Sequence, residues 1–290
     1  MNYFFCTKPL QYFNCVNLVS NLHKGEENIL FIIPNFYGAK ELSEKIKIYD
    51  HNWDDVIIIN NKRDRTLNKF NITQTDRVYI HSDLHFEMFF LGKFNHADFF
   101  VYEEGLGSYE KSITKITNRK WKNYIIYFLT KIGLVNSTPG KSKKNKKQYL
   151  YFPEKYEATH PDYAFKTFSF PFSFVENYLY NKDMFDNIFE LNSIVLPEGN
   201  KICLYLSSNS RTINYMEYYE LISYDYDFSI FKPHPNVADQ YDNIDLEFRD
   251  KMAEILIMKL LDSDKFVDVY HHGTSAEQYI IDDRVQFKKV

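Results

Sequence analysis

Three short polar clusters, each closing an apolar run, carry the side chains that could do chemistry: Glu103-Glu104-Gly105, Lys232-Pro233-His234-Pro235 and His271-His272-Gly273-Thr274-Ser275. Between them they offer a general base, an imidazole for a phosphate, and a cradle of hydroxyl groups. A carboxylate such as Glu104 can take the proton of an attacking hydroxyl, a role typically worth about 10²–10⁴-fold in rate. Glu103 competes for that role, but successive residues leaving a strand point to opposite faces, so only one of the two should enter a cleft. Gly105 lets the backbone turn sharply behind them. His234, fixed between Pro233 and Pro235, can hydrogen-bond the phosphate of a departing nucleotide monophosphate, and Lys232 adds positive charge close by. Thr274 and Ser275 open an expected helix, Ser275–Ile281, whose first turn would present hydroxyls and backbone N–H groups to an anion. Ser207 and Ser208 offer a second polar turn. Each cluster has an ordinary structural reading as well: a solvated turn, a structural histidine, or plain helix N-caps.

The flanks decide whether these groups meet a ligand. The clusters follow runs expected to be strands, Ala97–Tyr102, Tyr226–Phe231 and Phe266–Tyr270, and α/β proteins hold ligands where strands end. In the first half, strands at Tyr3–Cys6, Ile29–Pro34, Asp55–Asn60 and Arg77–His81 alternate with helices near Gln11–Leu22, Lys40–Tyr49 and Leu84–Phe94. That alternation predicts a parallel sheet wound with helices. A second series follows: strand Lys201–Leu206, helix Tyr215–Ile222, and a helix near Asp250–Leu261. The expected architecture is α/β, two Rossmann-like domains facing a central cleft, an acceptor-binding domain over 1–185 and a donor nucleotide-binding domain over 186–290.

Composition narrows the class. A chain of 290 residues, 44% hydrophobic with few glycines and prolines, suits two ordered α/β domains. Cys6, Cys15 and Cys203 are odd in number and widely spaced, which argues against a disulfide framework or a zinc site and for a reducing cytoplasm. No signal peptide and no membrane span are expected, since no apolar run reaches the ~18 residues a span needs. Neither a Walker loop nor a dinucleotide fingerprint occurs. Asp225-Tyr226-Asp227 and Asp262-Ser263-Asp264 sit on the wrong side of their elements for a donor-bound cation, so no metal and no cofactor are expected.

The basic segment 111–147 stands apart. It holds eleven Lys and Arg and no Asp or Glu, and because the chain as a whole is −4, the remainder carries about −15. Within it Trp121, Tyr124, Ile125, Phe128, Leu129 and Ile132 recur at helical spacing, bordered by Arg119, Lys120, Lys122 and Lys131. The alternatives are an ordinary helix with a core stripe and solvated lysines, or docking on an anionic membrane or acceptor. The run Lys141–Lys147 reads as a mobile loop. Nucleic acid is a poor partner for so acidic a chain without a stacking module.

The order and type of the clusters resemble bacterial sialyltransferases, most nearly glycosyltransferase family 52, with a more distant similarity to the polysialyltransferases. An acidic pair before Gly, a His-Pro and a Ser/Thr cluster are matched by Glu103-Glu104-Gly105, His234-Pro235 and Thr274-Ser275. The opening Phe5-Cys6-Thr7-Lys8-Pro9-Leu10-Gln11 is similar to the family's first strand and turn, which puts Gln11 with Glu103 and Gly105 on the acceptor side. The resemblance implies a GT-B fold, CMP-sialic acid as donor, inversion without a metal, Glu104 as base, His234 at the donor phosphate, and Thr274 and Ser275 as phosphate-binding hydroxyls. The glycan acceptor would be capsule or lipooligosaccharide, and the location cytoplasmic or peripheral on the inner face of the membrane. The chain ends fifteen residues past Ser275, short for this fold, which together with the aromatic surface allows a homodimer. Rival readings are transfer from another CMP-activated acid sugar or a CDP-alcohol, and a non-catalytic nucleotide- or glycan-binding protein at the membrane.

Overall fold

A computed structural model describes residues 1–61, 64–84, 94, 96–111, 120–131, 136–194, 199–208, 210, 212–234, 248 and 251–290. The chain forms two compact units, Met1–Asn35 with Ile46–Phe172, and Phe36–Lys45 with Ser173–Val290.

In the first unit β1 (Asn2–Cys6) leads into α1 (Pro9–Leu22), then β2 (Asn28–Ile32), α2 (Ala39–Tyr49, whose first half belongs to the second unit), β3 (Asp55–Ile58), β4 (Arg77–Ile80) and β5 (Asp98–Tyr102). After β5 come α3 (Lys120–Lys131), β6 (Asn145–Leu150), α4 (Pro153–Thr159) and β7 (Thr167–Ser169). Among the described residues these strands make a parallel sheet in the order β3-β2-β1-β4-β5-β6-β7. Parallel strands are buried on both faces, which is why β1 and β2 are unbroken apolar runs apart from their first Asn. Aromatic side chains supply much of that burial. Phe4, Tyr79 and Phe100 are register partners on β1, β4 and β5, and their rings stack at centroid distances of 4.4 and 4.9 Å. The opposite face packs Tyr3, Phe5, Phe31 and Phe94.

One expectation fails in this unit. Lys141–Lys147 is not a loop throughout, because β6 starts at Asn145 and pairs with β5. The lysines are accommodated by reach: Lys146 is exposed and Lys147 lies 4.5 Å from the Phe168 ring centroid on β7. The helix expected near Leu84–Phe94 falls largely outside the described residues.

The second unit contains α5 (Phe174–Tyr180), α6 (Lys182–Ile188), β8 (Lys201–Leu206), α7 (Tyr215–Ser223), β9 (Phe228–Lys232), α8 (Ala253–Asp262), β10 (Phe266–His271), α9 (Ala276–Tyr279) and β11 (Val285–Lys289). Its parallel sheet has the order β11-β10-β8-β9. Ser173 opens α5 with a reciprocal capping box to Glu176. The buried Asp186 of α6 accepts from Tyr178 at 2.8 Å and from Lys259 of α8 at 2.9 Å, so a charge in the interior is paired as burial requires. Tyr226 and Asp227, expected inside the strand, form the turn before it. The helix expected over Ser275–Ile281 is the four-residue α9, too short to gather a macrodipole.

Candidate functional site

Strand order fixes where each unit can hold a ligand. In the first unit β1→α1→β2 winds one way while β4 returns to the other side of β1, so the sheet reverses between β1 and β4. Crevices for ligands open beyond the carboxyl ends of strands at such a reversal. The residues leaving β1, β4 and β5 there are Thr7-Lys8, His81-Ser82-Asp83 and Glu103-Glu104.

The two glutamates divide sharply. Glu103 is fully buried, and one oxygen of its carboxylate accepts from the Tyr109 hydroxyl and from the Tyr151 N–H at 2.8 Å. Its carbonyl accepts from Asn14 Nδ2 of α1 at 2.8 Å. Burial and the adjacent carboxylate push the Tyr109 phenol up, so Tyr109 remains a donor. Glu104 faces outward, its side chain 34% exposed, and accepts from Lys8 Nζ at 2.8 Å. Its N–H donates to Ser108 Oγ, and Gly105 holds φ +121°, a region that penalises any Cβ. Gln11, at the third position of α1, is buried and turns back so that Oε1 accepts from the Thr7 N–H at 2.6 Å and from the Thr7 hydroxyl at 3.0 Å. That fixes the amide's orientation and leaves Nε2 without an acceptor among the described residues. Gln11 therefore braces the β1–α1 turn that carries Lys8.

Asp83 is a buried carboxylate at the same sheet edge with no place in the sequence reading, although His81-Ser82-Asp83 closes a strand just as the three clusters do. Its buried carboxylate accepts from the Gly140 and Ser142 N–H groups, each at 2.8 Å, and burial pushes it up to about 6 against those bonds. It ties the 140–142 turn to the sheet edge.

In the second unit β8 and β9 pair on one side and β10 crosses to the other, so the reversal lies between β8 and β10. Leu206 is the register partner of both Lys232 and His271. Ser207-Ser208, Pro233-His234 and His272-Gly273-Thr274 therefore leave three adjacent strands at one level, with strands ~4.8 Å apart. Contacts join the first two of these ends: Ser207 N–H donates to the Lys232 carbonyl at 3.2 Å, and the His234 N–H donates to Ser207 Oγ at 2.7 Å. Ser207 Oγ is an acceptor in that bond and retains its own proton. Ser208 Oγ is hydrogen-bonded to the Tyr215 hydroxyl at the start of α7.

Around Gly273 the turn is set by two imidazoles. His271 Nδ1 accepts from the Gly273 N–H at 3.0 Å, which puts the proton of the neutral ring on Nε2, 3.8 Å from a Glu277 oxygen. Burial lowers both His271 and His272, and His272 Nε2 shares a 2.7 Å hydrogen bond with the Tyr205 hydroxyl. Thr274 Oγ1 accepts from the Ala276 N–H at 3.3 Å, whereas the Ser275 hydroxyl donates to Glu254 Oε1 of α8 at 2.8 Å. Ser275 thus anchors the turn to α8. Lys232 is buried, with Nζ 3.3 Å from the Pro233 carbonyl, just below His234. Pro235 lies outside the described residues. Glu254 and Tyr215, which hold Ser275 and Ser208, gave no sequence signal, being 21 and seven residues away along the chain.

No family model matches the sequence, and no curated protein matches it either. Solved structures do share its fold. A UDP-N-acetylglucosamine 2-epimerase from Rickettsia bellii aligns over 94% of this chain and 74% of its own at 10% identity, TM-score 0.53. The wall teichoic acid polymerase TagF aligns over 94% of this chain at 10% identity, TM-score 0.52, and this chain spans 66% of it. An alpha/beta-galactoside alpha-2,3-sialyltransferase from the luminous marine bacterium Photobacterium phosphoreum aligns over 99% of this chain and 90% of its own at 12% identity, TM-score 0.51. The fold is GT-B. At these identities the likeness carries the fold alone, and the chemistry rests on the edges just described.

Proposed function

We propose that this chain is an inverting, metal-independent glycosyltransferase that moves sialic acid from CMP-sialic acid to a hydroxyl of a cell-surface glycan, capsule or lipooligosaccharide. The observation that carries the reading is that Leu206, Lys232 and His271 are register partners, so Ser207, His234 and Thr274 each follow one of three adjacent strand ends, with the His234 N–H donating to Ser207 Oγ. A nucleotide phosphate needs several donors at one place, and these strand ends supply them. The Ser207 and Thr274 hydroxyls would donate to phosphate oxygens, with Ser208 beside them. His234 would hydrogen-bond the oxygen that leaves with CMP, and Lys232 would add positive charge close by; Pro235 completes the proposed donor-side motif in sequence. The GT-B fold shared with a sialyltransferase supports the same assignment.

Glu104 is the base in this reading, since Glu103 is consumed by Tyr109 and Tyr151. The acceptor oxygen forms the new bond to the anomeric carbon while its proton passes to the Glu104 carboxylate. The bond from that carbon to the CMP phosphate oxygen breaks, and the electron pair stays on the phosphate. Lys8 occupies Glu104 in the absence of acceptor, so an acceptor hydroxyl must displace it or share the carboxylate.

The test is mass-tracked transfer from CMP-sialic acid to a panel of galactosides, with CMP-Kdo and a CDP-alcohol as comparator donors and with EDTA present. Turnover with CMP-sialic acid that survives EDTA and falls roughly 10²-fold or more in Glu104→Gln and His234→Ala supports the proposal. Turnover only with a comparator donor, or unchanged rates in both variants, overturns it.

A further inference from the structure

The helix α3 (Lys120–Lys131), in the crossover between β5 and β6, presents several of its described apolar side chains to solvent. Tyr124 is 75% exposed, Phe128 61% and Ile125 45%. Tyr124 and Phe128 are one turn apart and so share a face, with Ile125 beside them. The core-stripe reading of these residues is thereby excluded. Trp121 and Ile132 of the same stripe, and Arg119, Lys120, Lys122 and Lys131 bordering it, lie outside the described side chains.

We infer that α3 is a docking element for an anionic lipid bilayer, lying in the plane of its surface with Tyr124, Ile125 and Phe128 turned toward the acyl boundary. Two properties select this occupant. First, the segment from Lys111 to Lys147 carries eleven basic and no acidic residues in a chain of net charge −4, so positive charge is concentrated in the stretch of sequence that holds the exposed aromatics. Anionic headgroups over an apolar interior answer both the charge and the side chains. Second, the same charge opposes a second copy of this chain, because a two-fold contact through α3 would set one basic segment against another. The helix cannot span: twelve residues reach about 18 Å, against a hydrocarbon core of about 30 Å, and no described helix is long and apolar enough to cross a membrane. This inference stands independently of the transfer chemistry.

The experiment is sedimentation of the full chain with vesicles of phosphatidylglycerol in phosphatidylcholine, against phosphatidylcholine alone, from low salt to about 1 M. Binding to the anionic vesicles only, lost at high salt and reduced at least roughly tenfold in Y124S/F128S, is the expected result. The same variant should keep its circular dichroism and melting temperature, since the side chains it changes are exposed. A second readout uses Phe128→Cys carrying an environment-sensitive fluorophore, selectively labelled because Cys6, Cys15 and Cys203 are buried. Its emission should shift to the blue on anionic vesicles. Absent binding without a spectral shift, equal binding to neutral vesicles, or a dimer that Y124S/F128S dissociates while vesicles do not bind, overturns the inference.

Discussion

The adjacent glutamates can be separated by stability alone, before any substrate is known. Truncating Glu103 to Ala removes the carboxylate oxygen to which two donors, the Tyr109 hydroxyl and the Tyr151 N–H, both point. Each stranded donor costs ~1–3 kcal/mol, and the one methylene lost in a fully buried position adds ~1 kcal/mol. Relief of the carboxylate's own desolvation offsets part of this, so the expected loss is ~3–5 kcal/mol. Glu103→Gln keeps an acceptor oxygen of the same shape but gives up its charge, which points to ~1–2 kcal/mol. Glu104→Ala removes only a surface ion pair with Lys8, whose side chains are 34% and 55% exposed, and should cost no more than ~1 kcal/mol. Urea unfolding of the wild type and the three variants, at fixed pH and with m-values compared, reads all of these directly. The order should be Glu103→Ala, then Glu103→Gln, then Glu104→Ala. A Glu104→Ala chain as destabilised as Glu103→Ala, or a Glu103→Ala chain within experimental error of wild type, refutes the division of the pair into a brace and a reactive group.

Two further perturbations test the strand edges. Gly273 holds φ +121°, and among the described residues, its two chain neighbours aside, no atom lies within 4 Å of where a Cβ would stand, so Gly273→Ala isolates backbone strain and should lower stability by ~1–3 kcal/mol. Gly25, equally open but at φ +79°, is the control, and Gly25→Ala should cost less in the same thermal melts. Asp83 is raised to about 6 in the fold from an ordinary value of 3.8, so its contribution to stability is complete below about pH 4 and is lost as pH rises through about 6. Wild type should therefore lose up to ~3 kcal/mol relative to Asp83→Asn between pH 4 and 7, and a flat difference across that window would show that Asp83 does not titrate as placed.

The positions of the three clusters were legible because a buried parallel strand is written as a largely apolar run, and a polar cluster closing that run marks where the chain leaves the sheet. Glu103, Pro233 and His272 each immediately follow the last residue of a strand. Strand order was not legible, because it depends on which way each crossover turns. Hence the 2.7 Å bond between His234 and Ser207, 27 residues apart, and the pairing of Lys8 with Glu104, 96 residues apart, had no local signature. Charge misled the reading of Lys141–Lys147, since four-carbon stems let lysines occupy strand ends while their ammonium groups stay in water.

The same distinction explains what became of the hydroxyl cluster. Thr274 and Ser275 are alike in sequence, but the fold places the Glu254 carboxylate against Ser275 and none against Thr274 among the described residues. A hydroxyl that already donates to a carboxylate gives up a strong bond to reach a phosphate, whereas one that merely accepts a backbone N–H gives up nothing. On the proposed function, phosphate recognition at this edge should therefore concentrate on Thr274 and Ser207, each an acceptor in the fold with a proton left to donate, while Ser275 and Ser208 act through the turn they hold.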